Sequence, residues 1–205
     1  MSLFATTTKL TRYLVQAEGR NDEIRKKVFE GLKGNAMPEI QGEYETLITG
    51  WVPFETPYRP DFVTQSFTYG EDMVFGLRID QKKLPAKVIK RELEIAIENK
   101  KKEQGRDFIS RSEKLELKEQ VIDILMSKTP FNTDIHHVCW NPNTCEVLLF
   151  TTTKAAQELF ETLFFKSFAC KLIPIFPFSL AYYKLSSLTA REKENLETLT
   201  PSGVK

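Results

Sequence analysis

Hydrophobic and polar positions along the chain follow two different periods, which predict a protein built from both strands and helices. The opening "FATTTKLTRYLVQ" is rich in Thr, Tyr, Val and Leu and predicts a strand. In the next segment, "GRNDEIRKKVFEGLKGN", Ile24, Val28 and Leu32 share one face at helical spacing, so this segment predicts a helix.

A further strand and a β-hairpin are predicted next. The segment "EYETLITGWV" is typical of a strand and is followed by a proline-rich loop. The segment "FVTQSFTYGEDMVFGLRID" alternates in polarity on both sides of Tyr69–Asp72, where Gly70 suits a turn position with positive φ. Residues 1–83 therefore predict a strand-helix-strand and hairpin region.

Residues 84–130 predict two helices joined as a helical hairpin. The first begins near Pro85 and ends near Gly105, and the second follows Ser110–Glu113, which fits a capping box. Because only about five residues join the helices, they are expected to run antiparallel. The first helix has an apolar stripe of Ile89, Leu93, Ala96 and Ile97, and the second has one of Leu117, Val121, Ile124 and Leu125.

The remaining chain predicts a hairpin, a helix and a strand over residues 131–185, followed by a polar tail over 186–205. The helix, "TKAAQELFETLFFKSF", has Thr153 as its expected cap and places its aromatic residues in the core. Strands and helices do not alternate regularly, so the expected fold class is α+β, with antiparallel sheets, packed helices and a projecting helical hairpin.

The cysteine count and the hydropathy pattern predict a cytoplasmic protein. Three cysteines are too few for a disulfide framework, and the start of the chain lacks the pattern of a signal peptide. The longest apolar stretch, "LIPIFPFSLAYY", contains two prolines and is shorter than the roughly 20 residues that cross a bilayer. We therefore expect neither export nor membrane insertion.

Positive charge is concentrated in residues 82–106. This segment has nine Lys or Arg and four Glu, a net charge of +5, in a chain whose formal net charge is +1. On a helical wheel, one side of the first hairpin helix carries Lys87, Lys90, Arg91, Glu94, Glu98, Lys101 and Lys102. Two Lys/Glu pairs at i,i+4 spacing partly cancel this field. The face is therefore either the solvated side of an ordinary amphipathic helix or a surface that binds a polyanion.

Duplex DNA is a polyanion of suitable charge density, with one negative charge per about 1.7 Å of axis. The sequence contains no zinc finger and no evident helix-turn-helix, so the expected binding is independent of base sequence. The candidate DNA contacts are Lys82, Lys83, Lys87, Lys90, Arg91, Lys101, Lys102 and Arg106.

Several short segments occur in a recognisable order: "GWVPF", "LPAKVIKRELE", "LKEQVIDIL", Pro130-Phe131 and "LIPIFPFSL". Their order and spacing, over roughly residues 44 to 180, resemble the family of the bacterial recombination-associated protein RdgC. The individual motifs are short, and none of them is catalytic.

The resemblance implies a nucleoid-associated protein that binds duplex DNA without sequence preference, forms a ring-like homodimer around it and limits access of the recombinase RecA. It implies that Lys87, Lys90 and Arg91 belong to the basic helix of the family, and that Phe131, after Pro130, lies at a dimer contact. Family members usually continue further, so we expect a member without the usual C-terminal part, which leaves ring closure open.

No catalytic residue, metal or cofactor is expected. His136, His137, Cys139 and Cys145 are close in sequence, but successive strand residues point to opposite faces, so at most a partial zinc ligand set converges. Two alternatives stay open. Dispersed acids, including Asp72 and Asp80, could converge around Mg²⁺ in a nuclease, or the chain could keep only a protein-interaction role.

Overall fold

The fold is that of a computed structural model, which describes residues 7–16, 21–38, 45–63, 67–184 and 189–198. The helices are α1 (Asn21–Gly34), α2 (Ala86–Gln104), α3 (Arg111–Lys128), α4 (Lys154–Phe168), α5 (Pro177–Lys184) and α6 (Ala190–Thr198). The strands are β1 (Thr11–Gln16), β2 (Leu47–Pro53), β3 (Thr68–Tyr69), β4 (Asp72–Gln81), β5 (Asn132–Asn141), β6 (Glu146–Leu149) and β7 (Lys171–Pro174). Within these ranges, no helix is long and apolar enough to cross a membrane.

The strands form one sheet in the order β2-β4-β5-β6-β1-β7, with β3 paired to β4. Strand β1 runs antiparallel to both of its neighbours, and Tyr13 lies opposite Val147 of β6 and Pro174 of β7. The hairpin predicted around Gly70 is present, and Gly70 has a φ of 63°. An antiparallel sheet combined with helices confirms the predicted α+β class.

The chain divides into two compact units. The first comprises Met1–Ala36, Gly50–Leu77 and Ile135–Lys205, and the second comprises Met37–Thr49 and Arg78–Asp134. Each unit is assembled from separated segments, whereas the four regions predicted from the sequence are contiguous. The second unit contains both helices of the predicted hairpin, α2 and α3.

Aromatic side chains fill the core of the first unit. The ring of Trp51 lies edge-on to Phe75 at 5.2 Å between centroids and stacks on Phe168 at 5.7 Å. Its indole Nε1 donates a hydrogen bond of 2.7 Å to Ser167 Oγ, so the buried polar atom is satisfied. Phe160, Phe164 and Phe168 of α4 are buried, which confirms their predicted core position, whereas Phe165 is 63% exposed, so its expected place in the core is wrong.

Two helix starts in the first unit differ from expectation. Thr153 occupies the predicted N-cap position of α4, but its side chain does not make the capping hydrogen bond expected of a threonine there. Helix α5 is absent from the sequence prediction, which has only a hairpin, a helix and a strand over residues 131–185. Proline is favoured in the first turn of a helix, and Pro177 occupies this position in α5.

Gly31 marks a close approach between α1 and α4. A Cβ atom at this position would lie 2.5 Å from Ser167 O and 2.7 Å from Phe168 Cδ1. We therefore expect Gly31→Ala to lower the free energy of unfolding by about 1–3 kcal/mol because the helices must separate. The measurement is urea denaturation.

Gly34, in the same helix, provides the matched control. A Cβ there would have no atom within 4 Å, so Gly34→Ala should be neutral or slightly stabilising. Equal denaturation midpoints for the two variants would contradict the close packing at Gly31.

Candidate nucleic-acid interface

Helix α2 is delimited by backbone chemistry at both ends. Pro85 precedes it in an extended conformation (φ −63°, ψ 132°) and makes no side-chain capping bond. Gly105 follows it in the left-handed region (φ 60°, ψ 30°), which glycine adopts without the steric cost of a Cβ. The N–H of Arg106 donates to Lys101 O at 3.2 Å and so satisfies a terminal carbonyl. The predicted limits of this helix are confirmed.

Helix α3 begins with the predicted capping box. Ser110 Oγ accepts a hydrogen bond from Glu113 N–H at 3.2 Å, and Glu113 Oε2 accepts one from Ser110 N–H at 2.9 Å. Two interactions with Ser110 lower the pKa of Glu113. The hydrogen bond from the backbone N–H of Ser110 has the larger effect, and the hydrogen bond with its side chain has the smaller one. Glu113 is therefore ionised at neutral pH and remains an effective acceptor.

Helices α2 and α3 contact each other with little complete burial. Within α2 no residue is fully buried, and in α3 only Val121 is. Ile89 and Leu93 of the predicted α2 stripe are half-buried, whereas Ile124 of the α3 stripe is 54% exposed, so its expected place on the packed face is wrong. Half-buried contacts and end caps, not a closed core, hold the hairpin together.

The predicted DNA contacts divide into one buried lysine and a set of accessible cations. Lys82 is 7% exposed, and its Nζ lies 5.0 Å from the centroid of the Phe131 ring, in a cation–π contact. A buried ammonium cannot meet a phosphate at the surface, so Lys82 is removed from the candidate interface. The exposed residues are Lys83, Lys87, Lys90, Arg91, Lys102 and Arg106, and Lys101 is half-buried.

Neighbouring glutamates neutralise the accessible cations only in part. Lys90 Nζ lies 3.9 Å from Glu94 Oε1, and Arg91 Nη2 lies 2.6 Å from Glu92 Oε1. Of the two predicted i,i+4 pairs, only the one between Lys90 and Glu94 forms in the described chain. Exposed pairs contribute about 0–1 kcal/mol, so a phosphate group can displace them at small cost.

The helix dipole distinguishes the two ends of α2. Lys101 and Lys102 lie in its last turn, where the partial negative charge of the helix terminus stabilises cations. Lys87 lies in the first turn, which has no acidic residue, and there the dipole disfavours a cation. Helix stability therefore accounts for the C-terminal lysines but not for the N-terminal ones.

A buried carboxylate in the second unit is fully engaged. Asp80 Oδ1 and Oδ2 accept hydrogen bonds from Arg78 Nε at 3.0 Å and Arg78 Nη2 at 2.6 Å, and Thr133 Oγ1 donates to Oδ1 at 2.7 Å. Asp80 has no exposed surface. Its oxygens are occupied by this network, so Asp80 is poorly placed to serve the metal site that a nuclease would require.

The predicted dimer contact follows α3 directly. Pro130 is exposed, while Phe131 is half-buried and its ring contacts the Lys82 ammonium. The pair therefore presents less apolar surface than a fully exposed phenylalanine would. A role for these two residues in dimerisation stays a prediction.

Burial shifts the pKa values of His137 and Cys139, two of the strand residues considered as zinc ligands. The His137 ring is 4.9 Å from the Phe54 ring, and burial lowers the pKa of His137. Burial, with a smaller effect of Asp72, raises the pKa of Cys139 to about 11, so the thiol is protonated at neutral pH and is a weak nucleophile. In the described ranges, no three His, Cys, Asp or Glu side chains are grouped to hold a metal ion. The expected lack of a metal stays a prediction.

The fold and its accessible cations define an α+β protein whose distinguishing surface is a helical hairpin with a cluster of exposed cations at the start of α2. The sequence profile of a family described as "Putative exonuclease, RdgC" matches residues 21–190. This match covers most of the chain, so the protein belongs to the RdgC family and is an RdgC-like, recombination-associated protein. The resemblance noted in the sequence is thereby confirmed. A comparison with curated proteins finds no match.

The capping box leads to a prediction about the stability of α3. Ser110→Ala removes the acceptor for the Glu113 N–H and should destabilise the start of α3 by about 1 kcal/mol. Hydrogen exchange of the first-turn amides of α3 measures this effect. Ser127→Ala, in the last turn of the same helix, is the control and should leave those amides unchanged.

The same capping box should respond to pH. The folded pKa of Glu113 is lowered, so its contribution is complete above the ordinary carboxyl pKa of about 4.3 and is lost as the pH falls through the lower folded value. Acid should therefore lower the protection of the first-turn amides of α3, measured relative to their intrinsic exchange rates at each pH, and Glu113→Gln should remove this pH dependence. A Glu113 carboxyl that titrates at or above its ordinary pKa would contradict the structure.

Proposed function

We propose that the protein binds duplex DNA without sequence preference, through the exposed cations of the helical hairpin, and modulates recombination by occupying the duplex. The observation that carries this proposal is the cationic cluster of Lys83, Lys87, Lys90 and Arg91 at the start of α2. These residues are exposed, and the helix dipole disfavours Lys87, which lies in the first turn. Their charge is therefore better explained by a ligand than by the stability of the helix.

The spacing of the cations supports contact with the DNA backbone. Lys87 and Lys101 are separated by about 20 Å along the helix axis, which exceeds the width of the major groove, about 12 Å. The two ends of α2 can thus contact phosphates on both sides of a groove while the helix bridges it. Glu94 and Glu98, exposed between the two clusters, disfavour entry of the helix into the negative groove. Such a helix would contact phosphates and leave the base edges unread.

Salt dependence tests the phosphate contacts. About five contacts predict a slope near −4.5 when the logarithm of the association constant is plotted against the logarithm of salt concentration. Charge reversal at Lys87, Lys90 and Arg91 should reduce the slope to about −2 and weaken binding equally for duplexes of unrelated sequence. Fluorescence anisotropy at several salt concentrations measures both quantities.

A matched triple variant separates local contacts from net charge. Lys26, Lys27 and Lys33 are exposed on α1, and their replacement by Glu changes the net charge by the same amount. This control should bind DNA within about threefold of the unaltered protein. Equal loss in the two triple variants, or a slope near zero for the unaltered protein, would contradict the proposal.

The nuclease alternative is favoured by the description of the family alone. Labelled duplex incubated with the protein should remain intact in both Mg²⁺ and EDTA if the protein only occupies DNA. Mg²⁺-dependent degradation that EDTA abolishes would instead make the protein a nuclease.

Family membership also supports a homodimer, with Pro130 and Phe131 at its contact, and antagonism of a RecA-type recombinase. Phe131→Ser should shift sedimentation toward the monomer, because apolar anchors dominate interfaces. Phe108→Ser alters a phenylalanine that is 71% exposed outside the predicted contact, and it should leave the dimer unchanged. A monomer at all concentrations would contradict the dimer.

A further inference from the structure

A groove runs between α2 and the first half of α3. It has a volume of about 550 Å³ and is lined by Leu93, Arg111, Ser112, Lys114, Leu115 and Lys118. All six residues belong to the second compact unit. The groove is distinct from the cations assigned above to DNA, so its ligand is a separate question.

The wall of the groove is mainly apolar. Leu115 is 59% exposed and Leu93 is half-buried, so both present hydrocarbon to the open space. A single exposed leucine is common on protein surfaces, but one that lines a concave groove beside a second leucine offers a place for an apolar side chain. Duplex DNA has no apolar group that projects far enough to occupy such a groove.

Cations border the groove on the α3 side. Arg111, Lys114 and Lys118 follow each other at spacings of three and four residues, so they lie along one face of the helix. All three are exposed, and in the described chain none of the ion pairs includes them. They span about 10 Å of the helix axis, the length of roughly two turns of a bound helix.

We propose that this groove binds a short acidic segment of a partner protein, with one or two large apolar side chains against Leu93 and Leu115 and carboxylates against the three cations. Apolar anchors in a groove give affinity, and complementary charges on its rim select the partner and its orientation. The neighbouring groove, lined in part by Ile124, Lys128 and Glu92, has mixed charge and a smaller volume of about 220 Å³. It lacks the same complementarity.

The test uses a fluorescein-labelled peptide of aspartate residues with leucines at helical spacing, titrated with the full chain and followed by anisotropy. Binding with a dissociation constant on the order of 100 μM or tighter is expected. A peptide with serine in place of leucine, and one with lysine in place of aspartate, should each bind about tenfold more weakly.

Groove variants and matched controls locate the binding surface. Leu115→Ser, and separately the pair Lys114→Glu with Lys118→Glu, should weaken peptide binding about tenfold. Two control variants alter other residues of the same helix. Ile124→Ser changes an isoleucine that is about as exposed as Leu115, and Lys128→Glu changes another exposed lysine. Both controls should bind the peptide within about twofold of the unaltered protein. Circular dichroism of every variant checks that the fold is retained.

Three kinds of result would overturn the proposal. The first is a lack of binding at the groove, seen either as no binding up to about 1 mM peptide or as equal binding by Leu115→Ser and Ile124→Ser. The second is loss of duplex binding in the Lys114 and Lys118 variant, with displacement of peptide by DNA, which would assign the groove to DNA. The third is self-association of the protein that Leu115→Ser abolishes and the peptide cannot displace, which would assign it to a second copy. Failure of DNA binding by the unaltered protein would leave this proposal intact.

Discussion

The tip of the helical hairpin, residues 105–113, determines which faces of α2 and α3 meet, and the proposed functions depend on that choice. Neither helix has an extensive buried face to fix its rotation, because α2 has no fully buried residue and α3 has one. The left-handed Gly105 ends α2 at a defined residue, and the Ser110–Glu113 box starts α3 at another. A rotation of α2 by one residue, about 100°, would change which of its side chains face α3 and would move Leu93 in the groove. The two caps therefore affect the position of the exposed cations and of the groove, although they contain only a few hydrogen bonds.

Two adjacent lysines, Lys82 and Lys83, differ in burial and therefore in what they can contact. Lys82 packs its ammonium against the Phe131 ring, while Lys83 is exposed. In extended backbone, successive side chains point in opposite directions, so one of two neighbours is buried when the chain crosses a packed surface. The net charge of residues 82–106 therefore overstates the number of cations that DNA can contact. Only cations that remain hydrated at the surface can exchange counterions for phosphate.

Local signals account for the parts of the hairpin that were predictable from sequence. Pro85, Gly105 and the Ser110–Glu113 pattern act through neighbouring backbone groups, so their chemistry can be read without knowledge of the fold. The rotation of α3 could not be read in this way. Its apolar residues cover more than one face, so periodicity does not reveal that Val121 is buried while Ile124 is exposed.

Other features required tertiary contacts that no local pattern encodes. Which of Lys82 and Lys83 is buried depends on the position of Phe131. The groove depends on the packing of two helices, because Leu93 of α2 and Leu115 of α3 both line it. The exposed cations of α2, by contrast, form a charged face that helical periodicity alone predicts. The candidate DNA interface was thus largely predictable, and the groove beside it was not.

Lysine footprinting in the presence of duplex DNA tests the central claim most directly, because it reports on each ammonium separately. If α2 binds the duplex, DNA should shield Lys83, Lys87, Lys90 and Lys102 from acetylation and leave Lys26, Lys27 and Lys33 as reactive as in the free protein. The shielding should be equal for duplexes of unrelated sequence. Shielding that is absent from α2, or that is equal on α1 and α2, would contradict binding of the duplex by α2.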